Sequence, residues 1–407
     1  YNAIKTAVLS GGINMIDTAI NYRYMKSEKT IGKALRTLVH KYKYSREELI
    51  VASKIGFVPE DAESGKRNHS FVQHLIENSL MEMDDIIYDE LKRPVHCIHV
   101  EYLKDQLRHS LQNLNLETLD ILYLHNVFET QMIPRKLLLE RLSKAFEFLE
   151  QQREVGKIKN YGMASWNCFR VDWNNAQHAN IQELFMLAES IGGKNHGLRY
   201  IQAPINLINP EIFIEKFQAF DMSKFKDEEL NSVKEGHQKE SLTGVINSPF
   251  EGVEKKDIYH EAKLKEEEKT EIKQKEIESG KEEEGSQEKK QEDNVKEKEE
   301  EKIVHTTATA VCHMYKLNLI SSSPLLQGTI IDLPLENKLG LAYNASKHLQ
   351  VIRSIPAQCL KSTLCGMKSQ VHVKNNLEIL KVPRLSSQEF YDILAPKKRG
   401  PHIEKEI

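Results

Sequence analysis

A helix face and a buried strand follow one another between Leu103 and Leu124, and that pairing limits what the chain can fold into. Leu103, Leu107, Leu111 and Leu114 recur at helical spacing on one side. The run at 120–124, DILYL, then offers apolar side chains to both faces of a strand. A strand apolar on both faces belongs inside a sheet covered above and below, the usual setting of parallel strands under helices. The same alternation runs along the chain: 13–17 before 27–42; 50–54; 137–155 before 159–163; 181–191 before 200–204; 306–315 before 317–321; and 362–366 before 371–380. Repeated βα units predict a parallel sheet under helices. Seven strand candidates suit an eight-stranded barrel short of one strand, or an open doubly wound sheet. No G-x-G-x-x-G follows an early strand, which argues against the open dinucleotide-binding sheet.

From 226 to 302 the chain is mostly Lys, Glu, Gln and Ser, as in KEEEGSQEKKQEDNVKEKEEEK. Such a stretch buries too little apolar surface to offset its ordering entropy, so it is read as a solvated, disordered insertion rather than a charged helix with i,i+4 pairs. It divides the chain into 1–225, the insertion at 226–302 and 303–407. The 407 residues allow one large domain or two. A net charge of -3 gives no basic footprint for nucleic acid. No apolar run approaches the roughly 18 residues of a membrane span. The five cysteines, Cys97, Cys168, Cys312, Cys359 and Cys365, are scattered and odd in number with no C-x-x-C, which fits thiols in a reducing, cytoplasmic setting. The chain begins at Tyr1, so a targeting segment ahead of it stays open.

Four polar residues fall at or just beyond strand ends: Asp17 and Tyr22 in DTAINY, Lys54 in ASKIGF and His125 in DILYLHN. Ser27 reads as the N-cap of the helix after Tyr22. In a barrel all four would emerge on one face. A phenol parts with its proton reluctantly near neutrality unless an ammonium stands beside it, and Lys54 is the candidate cation. Asp17 would keep Lys54 charged and oriented. His125 would hydrogen-bond the oxygen that takes the proton.

This constellation resembles the aldo-keto reductase family. DTAINY matches its Asp-Thr-Ala-x-x-Tyr signature, ASKIGF its catalytic-lysine strand and SLQNLNLETLDILYLHN its helix and catalytic-histidine strand. GKIKNYGMASW looks like the fifth strand, YIQAPINLI the sixth, LISSSPLLQG the seventh, and LCGMKSQVHVKNNLEIL the eighth with its cofactor-gripping helix. The resemblance implies a (β/α)8 TIM barrel, an NADP-dependent reductase of small-molecule carbonyls with NAD as the alternative cofactor, and Asp17, Tyr22, Lys54 and His125 as its tetrad. It further implies that Ser165 and Gln202 meet the nicotinamide amide and that Ser323, Leu325 and Gly328 lie in the pyrophosphate loop. Gly366, Met367, Lys368, Ser369, His372, Asn375 and Asn376 would line the adenosine phosphate side. Because the family's first strand would precede Tyr1, the barrel is expected to lack one stave.

The chain also departs from the family. Ala164-Ser165 replaces the usual Ser-Asn pair, and Ser322 stands where many members stack a Tyr on the nicotinamide. His372 and Asn375 occupy places where Arg and Glu are frequent. The alternative reading is a cofactor-binding scaffold with little or no turnover, its charged insertion tethering a protein partner. HCIH at 96–99 and Cys312-His313 have no usual zinc spacing, so no metal is expected. Ser110 or Ser165 with His125 lacks a G-x-S-x-G elbow for a hydrolase. KKRG at 397–400 reads as solvated charge.

Overall fold

Met15–Asp17 (β1), Ile50–Ile55 (β2), Ile86–Tyr88 (β3), Pro94–Cys97 (β4), Leu119–His125 (β5) and Ile158–Ala164 (β6) are the strands of the first half of the chain. Leu198–Pro204 (β7), Gln218–Asp221 (β8), Ile303–Thr306 (β9), Asn318–Ser322 (β10) and Leu360–Thr363 (β11) complete the set. The computed structural model describes residues 1–59, 69–224, 303–332, 335 and 341–394. The charged stretch at 226–302, together with KKRG at 397–400, lies outside the described residues.

Seven strands form one sheet in the order β1-β2-β5-β6-β7-β10-β11, every neighbouring pair parallel. The sheet is rolled. Gln202 on β7 donates from Nε2 to Asp17 Oδ1 on β1 at 2.8 Å. Strands run about 4.8 Å apart, so four strand steps would separate these residues by roughly 19 Å in a flat sheet. The result is a nearly closed parallel barrel, the (β/α)8 architecture with seven staves among the described residues. β1 and β11 are its edges, each paired on one side.

Helices cover the outside: Asn2–Leu9 (α1), Lys26–Tyr42 (α2), His69–Glu77 (α3), Val100–Leu114 (α4), Val127–Thr130 (α5), Arg135–Glu154 (α6), Ile181–Gly192 (α7) and Glu211–Ile214 (α8). Ala308–Met314 (α9), Asn344–Arg353 (α10), Gln370–Leu377 (α11) and Ser387–Leu394 (α12) follow. The leucine face of α4 does what its spacing predicts, with Leu103, Leu107 and Leu114 buried in one core with Leu122 and Leu124 of β5. The opposite face of β5 turns Ile121 and Tyr123 into the barrel, against Ala52, Ala164 and Tyr200. All seven residues of β5 are buried, as a centrally placed parallel strand requires. At the barrel's open side α1 lies beside α11, where Gln370 Nε2 donates to Thr6 Oγ1 at 2.9 Å. No helix among the described residues is long and apolar enough to cross a membrane.

Two local expectations change. Ser27 sits inside the first turn of α2 and accepts a hydrogen bond from Thr18 Oγ1 at 2.9 Å; the N-cap position belongs to Met25, in left-handed backbone (φ 64°) with no side-chain cap. The last strand covers Leu360–Thr363 rather than 362–366, because pairing with β10 ends at Thr363. HCIH begins in regular structure: His96 and Cys97 belong to β4, which pairs antiparallel with β3 in a two-stranded sheet apart from the barrel. A second small hairpin joins β8 to β9, with Asp221 opposite Ile303. Described residues on either side of the charged stretch are thereby paired.

Candidate active site

Parallel strands bring their carboxyl ends to one rim, and Asp17, Lys54 and His125 lie on three neighbouring strands there, β1, β2 and β5. The loop after Asp17 follows β2 for one more turn of the ladder, with Thr18 N–H on Ala52 O at 3.0 Å and Ile20 N–H on Lys54 O at 3.2 Å. Tyr22 comes next, ahead of three successive residues in left-handed backbone, Arg23, Tyr24 and Met25 (φ 53°, 57° and 64°). Non-glycine residues rarely take that conformation, and three together cost of order 1 kcal/mol each. Met25, only 2% exposed, anchors the turn in the core and leaves Tyr22 38% exposed at the rim.

Lys54 is buried, and its Nζ reaches three oxygens: Asp17 Oδ2 at 2.5 Å, Thr18 O at 2.8 Å and Tyr22 OH at 3.4 Å. The ammonium also stands 4.8 Å from the centre of the Tyr22 ring. Burial by itself would push the ammonium's pKa down, but the Asp17 carboxylate and the Tyr22 oxygen outweigh it and hold the group above the ordinary lysine value. Lys54 is therefore a fixed cation beneath a phenol. His125 faces the same phenol edge-on, with ring centres 5.9 Å apart. Burial first, then the charge of Lys54, keeps His125 well below the usual histidine range, so the imidazole is neutral. Its Nδ1 is buried with no hydrogen-bond partner among the described residues.

Gln202 and Ser165 lie on the same rim, each with a bond inside the protein. Besides Gln202 on Asp17, the Ser165 hydroxyl donates to Glu129 and accepts from Cys168 N–H at 2.7 Å. Glu129 Oε1 also takes the N–H groups of Asn167 at 2.6 Å and Cys168 at 3.2 Å, while Oε2 is buried without a partner among the described residues. Nothing in the sequence singled out Glu129. Its sole signal is a carboxylate four residues past His125, in the short helix α5.

Beyond β10 the backbone is left-handed at Ser323, Leu326, Gln327 and Gly328 (φ 48°, 43°, 56° and 99°). The turn is closed by its own backbone, with Leu326 N–H on Ser323 O at 2.9 Å and Gly328 N–H on Leu325 O at 2.7 Å. Asn206 Nδ2 fixes this loop by donating to Ser323 O at 3.2 Å. Past β11, Gly366 and Lys368 are exposed and Met367 is half-buried. Ser369 caps α11 by accepting from His372 N–H at 3.2 Å. His372 is exposed, Asn375 O accepts from Ser346 Oγ at 2.6 Å, and the buried Asn376 donates to Cys365 Sγ at 3.1 Å. In chain order the 323–328 loop follows β10 and the 366–369 segment follows β11, while His372, Asn375 and Asn376 lie within α11.

Comparison with known proteins gives a match between residues 1–182 and the aldo/keto reductase family. No curated protein matches the chain. Among solved structures, aldo-keto reductase AKR11C1 from Bacillus halodurans in its holo form is similar at 16% identity, over 97% of this chain and 86% of that one, with a TM-score of 0.45. The aldose reductase from Schistosoma japonicum is similar at 12% identity, over 97% and 84%, with a TM-score of 0.47. The aldo-keto reductase AKR2E5 complexed with NADPH is similar at 13% identity, over 97% and 76%, with a TM-score of 0.47.

Proposed function

We propose that the chain, whose residues 1–182 match the aldo/keto reductase family, is an NAD(P)H-dependent oxidoreductase that reduces an aldehyde or ketone, with Tyr22 as proton donor. The observation that carries this reading is the buried Lys54 ammonium, held by Asp17 at 2.5 Å and reaching the Tyr22 oxygen at 3.4 Å beside a neutral His125.

Two features fit a nicotinamide dinucleotide. The start of α11 offers backbone N–H groups for phosphate, with Lys368 adding an exposed cation nearby. The orphaned Oε2 of Glu129, beside Ser165, is an acceptor for an amide N–H. When bound, the nicotinamide supplies the hydride for the carbonyl carbon. Tyr22 moves its phenolic proton to the carbonyl oxygen as negative charge develops there. Lys54 stabilises the phenolate left behind, and Asp17 keeps Lys54 charged and aimed. A neutral imidazole carries one N–H, which His125 offers to the same oxygen to fix the substrate's approach. Gln202 assists by holding the second oxygen of Asp17. Lys368 and His372, both exposed at the α11 end, favour a 2'-phosphate and hence NADP over NAD. Five free thiols suit a cytoplasmic setting, and the charged stretch at 226–302 is a tether for a protein partner.

One observation favours the second reading, a cofactor-binding scaffold with little turnover: Ser322 at the end of β10 offers no ring to stack on a nicotinamide. Titration with NADPH and NADH by fluorescence, followed by a panel of aldehydes and ketones, separates the two. Binding with turnover supports the reductase; binding without turnover on any carbonyl supports the scaffold.

A further inference from the structure

The hairpin of β3 and β4 has a small core of its own, Val72, Leu75, Met81, Ile86 and Cys97 closing on Val58 and Tyr102. It nevertheless reaches the rim through one residue. Cys97 N–H donates to Gly56 O at 2.9 Å and Val58 N–H to Val95 O at 2.8 Å, so β4 runs along the segment that leaves Lys54. α4 holds that segment from another side: Gln106 accepts from Gly56 N–H at 2.7 Å and donates to Phe57 O at 2.6 Å. Gly56 is left-handed (φ 125°), and a Cβ there would stand 2.6 Å from His96 Nε2. The close passage of His96 therefore depends on Gly56 lacking a side chain.

His96 is fully buried, and its Nε2 lies 2.8 Å from the backbone oxygen of His125. A carbonyl accepts, so Nε2 carries the proton. Burial pushes the imidazole down to about 4, against a smaller upward effect of the His125 carbonyl, so the ring is neutral and Nδ1 is an acceptor. Gln131 Nε2 donates to that Nδ1 at 3.0 Å, and Gln131 Oε1 accepts in turn from Arg141 NH1 at 3.1 Å. Arg141 also donates to Asp84 O at 2.8 Å, at the base of the hairpin. Each member thus fixes the tautomer or orientation of the next. The chain ends on the peptide that carries His125, where β5 stops and Asn126 turns left-handed (φ 51°). Phe57 completes the clamp, its ring edge-on to His96 at 5.1 Å and to His125 at 5.0 Å.

We infer that His96 is a positioning residue for His125: its N–H fixes the peptide plane under the imidazole, and the hairpin of β3 and β4 exists in part to deliver that bond. The functional half of this inference rests on the reductase reading. Without the bond a buried carbonyl goes unpaired and the peptide between His125 and Asn126 keeps only its N–H bond to Ala164 O at 2.7 Å, so its plane tilts and the imidazole shifts from the substrate oxygen.

The test compares His96→Phe, which keeps a ring and loses the donor, with His96→Gln, which keeps a donor near Nε2. Histidine ring nitrogen spectra of the full chain identify His125 as the signal removed by His125→Gln. His96→Phe is expected to move that signal and to lower kcat by about 10-fold or more, with cofactor affinity unchanged. His96→Gln is expected to restore the signal and to keep kcat within about twofold of wild type on the same grounds. In the His125→Gln background, His96→Phe should cost no further turnover, since coupled residues are not additive. An unmoved His125 signal in His96→Phe, or equal losses of turnover with and without His125, overturns the inference and leaves His96 a packing residue. If His96→Phe does not fold, Gln131→Leu releases Nδ1 and is expected to move the same signal. A wild-type chain that binds cofactor but reduces no carbonyl overturns the reductase reading instead, while the spectra still decide whether His96 holds His125.

Discussion

Lys54 shows how much depends on a single side chain when an ion pair is buried. Its raised pKa means that its contribution to stability is fully present below the ordinary lysine value and is lost as pH rises through the higher folded value. The stability gap between wild type and Lys54→Met should accordingly stay flat from about pH 6 to about pH 9 in urea unfolding. Its size should be about 3 kcal/mol or less, because the substitution leaves Asp17 without its cation but still bonded to Gln202. A gap that closes steadily across that range would contradict the buried pair. Gly56→Ala tests the other tight passage: with left-handed backbone and His96 in the way of the Cβ, it should destabilise by upwards of about 1 kcal/mol in the same measurement. An alanine variant as stable as wild type would mean that His96 does not pass so close. The strand-end positions of Asp17, Lys54 and His125 were legible in the sequence because each is a polar residue where an apolar run ends, whereas Tyr22, in the loop beyond, was singled out through the family signature. Glu129 was not, since its meeting with Ser165 crosses from the turn after β5 to the end of β6, a contact set by the sheet rather than by spacing.

Elements were legible where burial repeats locally. α4 and β5 announce themselves through leucine spacing and an unbroken apolar strand: the helix expected over 102–114 spans Val100–Leu114 and the strand expected over 120–124 spans Leu119–His125. The start of α2 was misread because its cap is backbone conformation at Met25, which leaves no mark in residue type. β8 and β9 escaped for a different reason, as their pairing joins residues on either side of the charged stretch and no local pattern records it. Between elements, Glu28 of α2 is fully buried, accepting from Ser53 of β2 at 2.6 Å and from Asn113 of α4 at 2.9 Å. Burial raises its pKa above the usual glutamate value, against the lowering effect of those hydrogen bonds. A raised carboxyl contributes stability that is present below the ordinary value and lost as pH climbs through the folded one. Glu28→Gln, neutral at every pH, should therefore gain in Tm relative to wild type on going from about pH 5 to about pH 8. A Tm difference independent of pH would show that Glu28 keeps one protonation state across that range.

At the scale of the whole molecule, the barrel was legible from the alternation of strands and helices, and its seven staves match the seven strand candidates. The rolling of the sheet was legible only through resemblance, because curvature is a property of the assembled strands. With Asp221 and Ile303 already opposite each other, replacing 226–302 by a short Gly/Ser bridge should leave Tm and cofactor affinity unchanged or slightly improved; shortening a loop by half recovers about 0.6 kcal/mol of closure entropy. Loss of cooperative unfolding on deletion would show that the stretch packs against the barrel. The central claim is that a phenol activated by a buried cation performs the proton transfer at the rim. Its most direct measurement is kcat for carbonyl reduction by Tyr22→Phe beside wild type, with the Kd for NADPH determined on both. The account predicts a fall in kcat of about 100-fold or more with Kd within about twofold, since the hydroxyl is removed while the phosphate loops are untouched. Wild-type turnover in the phenylalanine variant would contradict it.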